Sequence, residues 1–196
     1  MTTAERRLFV AVPLPDDAVS AVTDLVERVR AGHVGEGRDV RWVRMDGLHL
    51  TLRFLGPTPE HLLDPTIAAV GTVAREATPF DIAIRGAGAF PSAARPRALW
   101  LGIWDPTGAL ADLATQVQSA LVSAGWPPDD RPFRPHLTLA RSDGVSAGPG
   151  AARRLAEASA DLALTARVDH LVLFESVTGG GPARYVPVVS EPLGER

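Results

Sequence analysis

His49-Leu50-Thr51-Leu52 recurs unchanged as His136-Leu137-Thr138-Leu139, 87 residues further along the chain. Each copy lies in a run rich in Leu and Thr, Leu48 to Leu55 and His136 to Arg141, that reads as a β-strand. In a strand, residues i and i+2 project to the same face. His49 and Thr51 therefore share one face, with Leu48, Leu50 and Leu52 behind them, and His136 and Thr138 do the same in the second copy. Each strand presents an imidazole beside a hydroxyl and anchors itself through its apolar side. One such tripeptide would pass for an ordinary strand histidine. Two identical copies in matching strands point to a duplicated unit whose polar faces meet across a cleft, with two histidines and two hydroxyls around one ligand.

Composition narrows the chemistry. The chain has 196 residues, 45% hydrophobic and 22% charged, enough for a sizeable core. It contains no cysteine, which excludes disulfides, thiolate metal sites and cysteine nucleophiles. All 20 basic side chains are Arg. Without Lys there is no Schiff-base chemistry and no lysine-dependent nucleotidyl transfer, both of which need an amine nucleophile. A formal net charge of −3 argues against a generic grip on long nucleic acid, and leaves room for a local Arg cluster. The apolar run Leu8 to Val12 is too short for a signal core and is closed by Pro13 and Pro15. No stretch approaches the length of a membrane span. The expectation is a cytoplasmic protein that makes no use of a membrane.

Outward from the repeat, the pattern predicts strands at Arg6 to Val12, Val40 to Val43, Phe80 to Ile84 and Ala98 to Trp104. Further strands are expected at Leu162 to Arg167, His170 to Phe174 and Arg184 to Val189. A helix opens at Pro15-Asp16-Asp17 and buries Val19, Val22, Leu25, Val26 and Val29. A second runs to Ala77, capped by Thr58 with Pro59 at its first position, and Pro65 is a point of interruption. A third runs from Asp105-Pro106 to Ala124 with Leu110, Leu113, Val117 and Leu121 inward, and a short one spans Ala151 to Ala158. Asp46-Gly47 reads as a tight turn into the first HLTL strand. Gly32 to Gly37, Ala87 to Pro96 and Gly125 to Pro135 read as loops, and Ser142 to Gly150 as a mobile small-residue segment. No linker of domain-separating length appears. The fold expected is α+β, one bilobal and internally duplicated domain over residues 1–196, with mostly antiparallel sheets and outer helices around a central cleft.

With those residues in view, the chain resembles the two-histidine (2H) phosphoesterase superfamily, and within it the bacterial RNA 2',3'-cyclic phosphodiesterases, also called 2'-5' RNA ligases. The resemblance rests on RLFVAVPLP (Arg7 to Pro15), WVRMDGLHLTLRFLG (Trp42 to Gly56), PRALWLG (Pro96 to Gly102) and RPFRPHLTLAR (Arg131 to Arg141), with Ser176 and Tyr185 in the closing strands. It implies that His49 and His136 are catalytic, His49 as proton donor to the 3' oxygen and His136 as proton acceptor from water. It further implies that Thr51 and Thr138 hold the phosphate oxygens. Arg141, five residues after the second His, occupies the family's position for binding the substrate phosphate or nucleotide. Strict alternation would turn Arg141 away from His136, so the strand must end or bulge there.

The chemistry suits the residues. A histidine with an ordinary pKa of about 6.5 can be held in either protonation state near neutrality. No cofactor and no metal is expected: two histidines without Cys or an HExxH pattern make a poor zinc site. The expected partners are RNA ends or small cyclic nucleotides, and the chain is expected to act as a monomer. Trp42, Phe9, Phe133 and Tyr185 are candidates to stack on a base. Arg44, Arg53, Arg131 and Arg134 are candidates to make the cleft basic, and His33, His61 and His170, with no hydroxyl at i+2, are read as structural or exposed. Two alternatives stay open. One is another substrate, such as ADP-ribose cyclic phosphate or 2'-5' oligoadenylate. The other is a non-catalytic RNA-end-binding module, which would not need two titratable groups.

Overall fold

The first apolar run forms β1 (Arg6–Pro13), whose residues Leu8 to Val12 are all buried. The structure, a computed structural model, describes residues 6–31, 39–142, 146–179 and 182–194. After β1 come α1 (Asp16–Ala31), β2 (Val40–Trp42), β3 (His49–Thr58), α2 (Glu60–Glu76), β4 (Phe80–Phe90) and β5 (Ala98–Trp104). Then follow α3 (Ala109–Ser123), β6 (His136–Ser142), α4 (Gly148–Ala158), β7 (Leu164–Val168), β8 (His170–Val177) and β9 (Arg184–Pro192).

The strands form two antiparallel sheets, ordered β3-β1-β8-β9 and β2-β6-β5-β4-β7. The duplication is visible in the order of elements: β1-α1-β3-α2 is echoed by β5-α3-β6-α4, and each HLTL strand lies beside the strand that begins its half. This is the α+β, antiparallel, bilobal arrangement expected from the pattern. The helices cover the sheets through their apolar stripes. Val22, Leu25, Val26 and Val29 of α1 are buried, as are Leu110, Leu113, Val117 and Leu121 of α3. Leu50 of β3 and Leu137 and Leu139 of β6 are fully buried, so each HLTL strand is anchored from behind. No helix among the described residues is long and apolar enough to cross a membrane.

Both HLTL strands carry a bulge at the same place. Ala11 lies opposite Thr51 and Val10 opposite Arg53, which leaves Leu52 without a partner on β1. Trp100 lies opposite Thr138 and Leu99 opposite Ala140, which leaves Leu139 without a partner on β5. One extra residue reverses the in–out order of everything beyond it. The break in alternation expected at Arg141 is therefore present, and it is duplicated in β3.

Several local expectations are corrected. The turn at Asp46-Gly47 is a 3-10 turn over Met45–Gly47, and it is not a hairpin, because β2 and β3 belong to different sheets. Thr58 ends β3 and donates to Gly56 O at 3.1 Å; Pro59, which cannot cap through its side chain, holds the cap position of α2. Pro65 does not interrupt α2, whose buried Thr66, Val70, Val73 and Ala74 hold it across the proline. Strand β4 runs on to Phe90 where a loop is expected. Gly86 at φ 67 carries the chain through an irregularity between Ile84 and Ala87, and Gly88 leaves room for the Trp100 indole, which a Cβ there would meet at 2.2 Å. Helix α3 starts at Ala109, with Asp105 capping from outside as its Oδ2 accepts from Leu110 N at 2.9 Å and Ala111 N at 3.3 Å. Of the small-residue segment Ser142 to Gly150, the ends belong to β6 and α4, and residues 143–145 lie outside the described residues, as do His33 and the loop from Gly32 to Gly37.

Candidate active site

A cleft of about 970 Å³ is lined by His49, Thr51, His136, Thr138 and Arg141 together. The five residues singled out by the repeat and the resemblance thus come into one cavity, from β3 of one sheet and β6 of the other.

Each histidine is fixed in the same way. His49 Nδ1 lies 2.7 Å from Gly47 O, and His136 Nδ1 lies 2.7 Å from Arg134 O. A carbonyl oxygen has no proton to give, so in both rings Nδ1–H is the donor. That hydrogen bond sets the tautomer and leaves Nε2 as the atom that accepts or carries a second proton. The matching contact two residues upstream repeats the duplication at atomic scale.

The two imidazoles differ in their surroundings. His49 sits among rings, with centroids 4.8 Å from Phe9, 4.8 Å from Tyr185 and 5.9 Å from Phe174. Burial there pushes its pKa below the ordinary histidine value, against a smaller upward pull from the bond to Gly47 O. His136 meets Phe90 edge-on at 5.2 Å and Trp100 at 6.4 Å. Gly47 keeps the first cage closed: a Cβ there would come 3.0 Å from the Tyr185 ring. Burial also raises the pKa of the Tyr185 phenol, with the positive charge of Arg141 pulling the other way. The phenol therefore stays a neutral hydrogen-bond donor facing the cleft.

Arg7, Arg30, Arg41 and Arg141 line the cleft, and no Asp or Glu is among its described lining residues. A chain of net charge −3 thus gathers positive charge at one place, which suits an anionic ligand. Among the described residues no three His, Asp or Glu side chains come together as a metal-binding group.

A model of the 2'-5' RNA ligase superfamily matches residues 11–180. The chain belongs to this superfamily. Its relatives include a Geobacillus stearothermophilus protein named RNA 2',3'-cyclic phosphodiesterase, 36% identical over 134 residues. That match covers 68% of this chain and 41% of the relative, so the chain spans under half the length of that protein. An Aeropyrum pernix protein of the same name is 34% identical over 132 residues, covering 66% of this chain and 73% of the relative. Among solved structures, TT0787 of Thermus thermophilus aligns over 97% of this chain and 100% of its own, with a TM-score of 0.75 and 28% identity. E. coli LigT complexed with 3'-AMP aligns over 97% and 99%, with a TM-score of 0.72 and 26% identity.

The remaining candidates sort clearly within the 2'-5' RNA ligase fold. Phe9, Trp42 and Tyr185 line the cleft, and Phe133 packs against the core instead. None of Arg44, Arg53, Arg131 and Arg134 is a lining residue. Arg44 pairs with Asp46 at the surface at 2.5 Å. Arg53 is turned behind the strand by the Leu52 bulge and is only 8% exposed. There its Nη2 donates to Pro127 O at 2.7 Å, and its Nη1 lies 2.9 Å from Asp129 Oδ2 in an ion pair whose angle is not that of a hydrogen bond. Arg131 joins the same Asp129 from the solvent side at 2.8 Å. His61 is exposed, and His170 pairs at the surface with Asp169.

Sequence reasoning misses Phe54, Arg7, Arg30 and Arg41. Phe54 lies opposite Phe9 on β1, lines the cleft, and is 54% exposed. The signal for it was available, since it follows His49 by five residues as Arg141 follows His136.

Proposed function

We propose that this chain is an RNA 2',3'-cyclic phosphodiesterase that hydrolyses cyclic phosphate ends to 2'-phosphomonoesters without a metal. One observation carries the reading: two HLTL strands face one Arg-lined cleft, each with its histidine pinned through Nδ1 to a carbonyl at 2.7 Å. Two imidazoles prepared in this way supply a base and an acid on one ligand, which a purely binding module has no use for.

In the proposed reaction the cyclic phosphate lies between the two strands. His136 Nε2 takes a proton from water as the water oxygen attacks phosphorus. His49 Nε2 gives its proton to the 3' oxygen as the P–O3' bond breaks, leaving a 3'-hydroxyl and a 2'-phosphate. Thr51 and Thr138 donate hydrogen bonds to the non-bridging oxygens, whose charge grows in the transition state. Arg141 binds negative charge of the substrate beside the two His-Thr pairs. Burial keeps His49 neutral in the empty cleft, so the anionic substrate itself must draw the proton onto Nε2. Phe54 offers a base an exposed aromatic face at the cleft wall. With a 5'-hydroxyl in place of water, the same geometry joins two RNA ends through a 2'-5' linkage. Both histidines come from one chain, so residues 1–196 would act as a single bilobal unit and as a monomer. A substrate that is an RNA end puts the protein's work in the cytoplasm.

The test is a short RNA ending in a 2',3'-cyclic phosphate, incubated with the protein in EDTA. A 2'-phosphate product is expected, with His49→Ala and His136→Ala each slower by about 10²–10⁴-fold. A 3'-phosphate product, or activity that EDTA abolishes, would defeat the mechanism.

A further inference from the structure

Strand β2 breaks the repeat. The first sheet has four strands and ends at β3, whereas the second has five, because β2 extends it beyond β6. The added strand sets Arg41 directly opposite Arg141. Both residues are exposed and both line the cleft. Like charges at opposed positions of an antiparallel pair repel, and an anion held between them offsets that repulsion. Among the described residues no carboxylate pairs with Arg141.

The position of the pair is as informative as its charge. Thr138 lies opposite Trp100 and Arg141 opposite Ala98, so the bulge at Leu139 compresses three residues of β6 into two strand steps. Arg141 therefore shares the face of Thr138, about 7 Å further along the strand at a rise of about 3.4 Å per step. That separation is on the scale of one nucleotide. From opposed positions on neighbouring strands at the cleft, two guanidinium forks can converge on the oxygens of one phosphate.

We propose that Arg41 and Arg141 form a second phosphate subsite, which holds the internucleotide phosphodiester on the 5' side of the terminal nucleoside. The inference rests on the phosphodiesterase reading and adds to it that the enzyme reads an RNA end in preference to a free cyclic nucleotide. Arg141 serves the upstream phosphate, and the two His-Thr pairs serve the cyclic one.

The experiment compares kcat/KM for three substrates: a nucleoside 2',3'-cyclic phosphate with a free 5'-hydroxyl, a dinucleotide ending in the same cyclic phosphate, and that dinucleotide with an uncharged methylphosphonate linkage. The wild-type protein is expected to prefer the charged dinucleotide by about ten- to a hundredfold, the range for a hydrogen bond to a charged group. It should lose most of that preference with the uncharged linkage. Arg41→Gln, an exposed change on a sheet edge, should bring the dinucleotide-to-mononucleotide ratio close to one. Equal turnover of mononucleotide and dinucleotide by the wild type, or a full preference kept by Arg41→Gln, would overturn the subsite and leave the phosphodiesterase reading standing. No turnover of any of the three would overturn that reading, and the subsite with it.

Discussion

Phe54 and Arg141 hold the same place in the two copies of the duplicated strand. Each follows its histidine by five residues, and each is turned into the cleft by a bulge one residue beyond the threonine. The copies are alike in their His and Thr and unlike at this position. One wall of the cleft ends in an aromatic ring, and the other ends in a guanidinium. A substrate with one planar base and a run of phosphates has a matching polarity.

Replacing Phe54 by Ala should therefore weaken substrate binding more than turnover. Base–aromatic stacking is worth about 1–3 kcal/mol. KM for a 2',3'-cyclic nucleotide should rise about five- to a hundredfold with kcat nearly kept, and Phe54→Trp should restore it. The ring is 54% exposed, so thermal stability should move little. Steady-state kinetics of the two variants decides this, and a fall confined to kcat would refute the stacking role.

The bulges also explain what the sequence disclosed and what it hid. Apolar runs place β5 at its observed bounds and assign the inner faces of α1 and α3, because burial on one side writes a period into the residues. The two His-Thr pairs are legible for the same reason. Alternation counted from His49, however, puts Arg53 in the cleft and Phe54 behind it, and the bulge exchanges them. Carrying the break inferred at Arg141 back to the first copy would have found Phe54. Arg41 was hidden differently: the pattern marks β2 as a strand and says nothing of which sheet it joins, and three residues are too few to choose a partner by their own apolar face.

Arg53, displaced from the cleft, ties the two halves together. It belongs to the first HLTL strand and holds Pro127 O and Asp129, in the segment that leads into the second. Arg53→Ala removes the bond to Pro127 O and the buried one of Asp129's two guanidinium partners, and frees that approach, at a cost of about 1.5–3 kcal/mol for a hydrogen bond to a charged group. Arg131→Ala removes the exposed partner of the same carboxylate and should stay within about 0.5 kcal/mol. Urea unfolding of both variants checks the contrast, and equal losses would count against the clamp.

His49 should make the folded protein sensitive to acid. Its pKa is lowered by burial, so the folded state binds its proton less readily than the unfolded chain, whose imidazole titrates near 6.5. The unfolded state then holds more protons below that value, and stability rises with pH. The contribution is whole above about pH 6.5 and is lost as the pH falls from there toward the folded value. His49→Gln should show a shallower loss of stability on acidification than the wild type over this window. Denaturation midpoints between pH 5 and 8 measure it, and identical slopes would show that the ring is not held neutral by the fold.

The same lowered pKa makes ligand binding a proton-uptake reaction. With the cleft empty, His49 is neutral, and its cage of Phe9, Phe174 and Tyr185 contains no charge to stabilise the imidazolium. In the proposed complex a phosphate anion held by Thr51 and Thr138 would supply that charge within the cleft and raise the ring's pKa. Binding of an unreactive anion such as a nucleoside 2'-monophosphate should therefore strengthen as the pH is lowered through neutrality, once the ligand's own ionisation is allowed for. Calorimetry in buffers of different ionisation enthalpy reads the number of protons taken up directly. The wild type should take up a fraction of a proton near pH 7, and His49→Gln should take up less. Equal uptake by both would assign the proton to another group, and with it the acid that protonates the departing 3' oxygen.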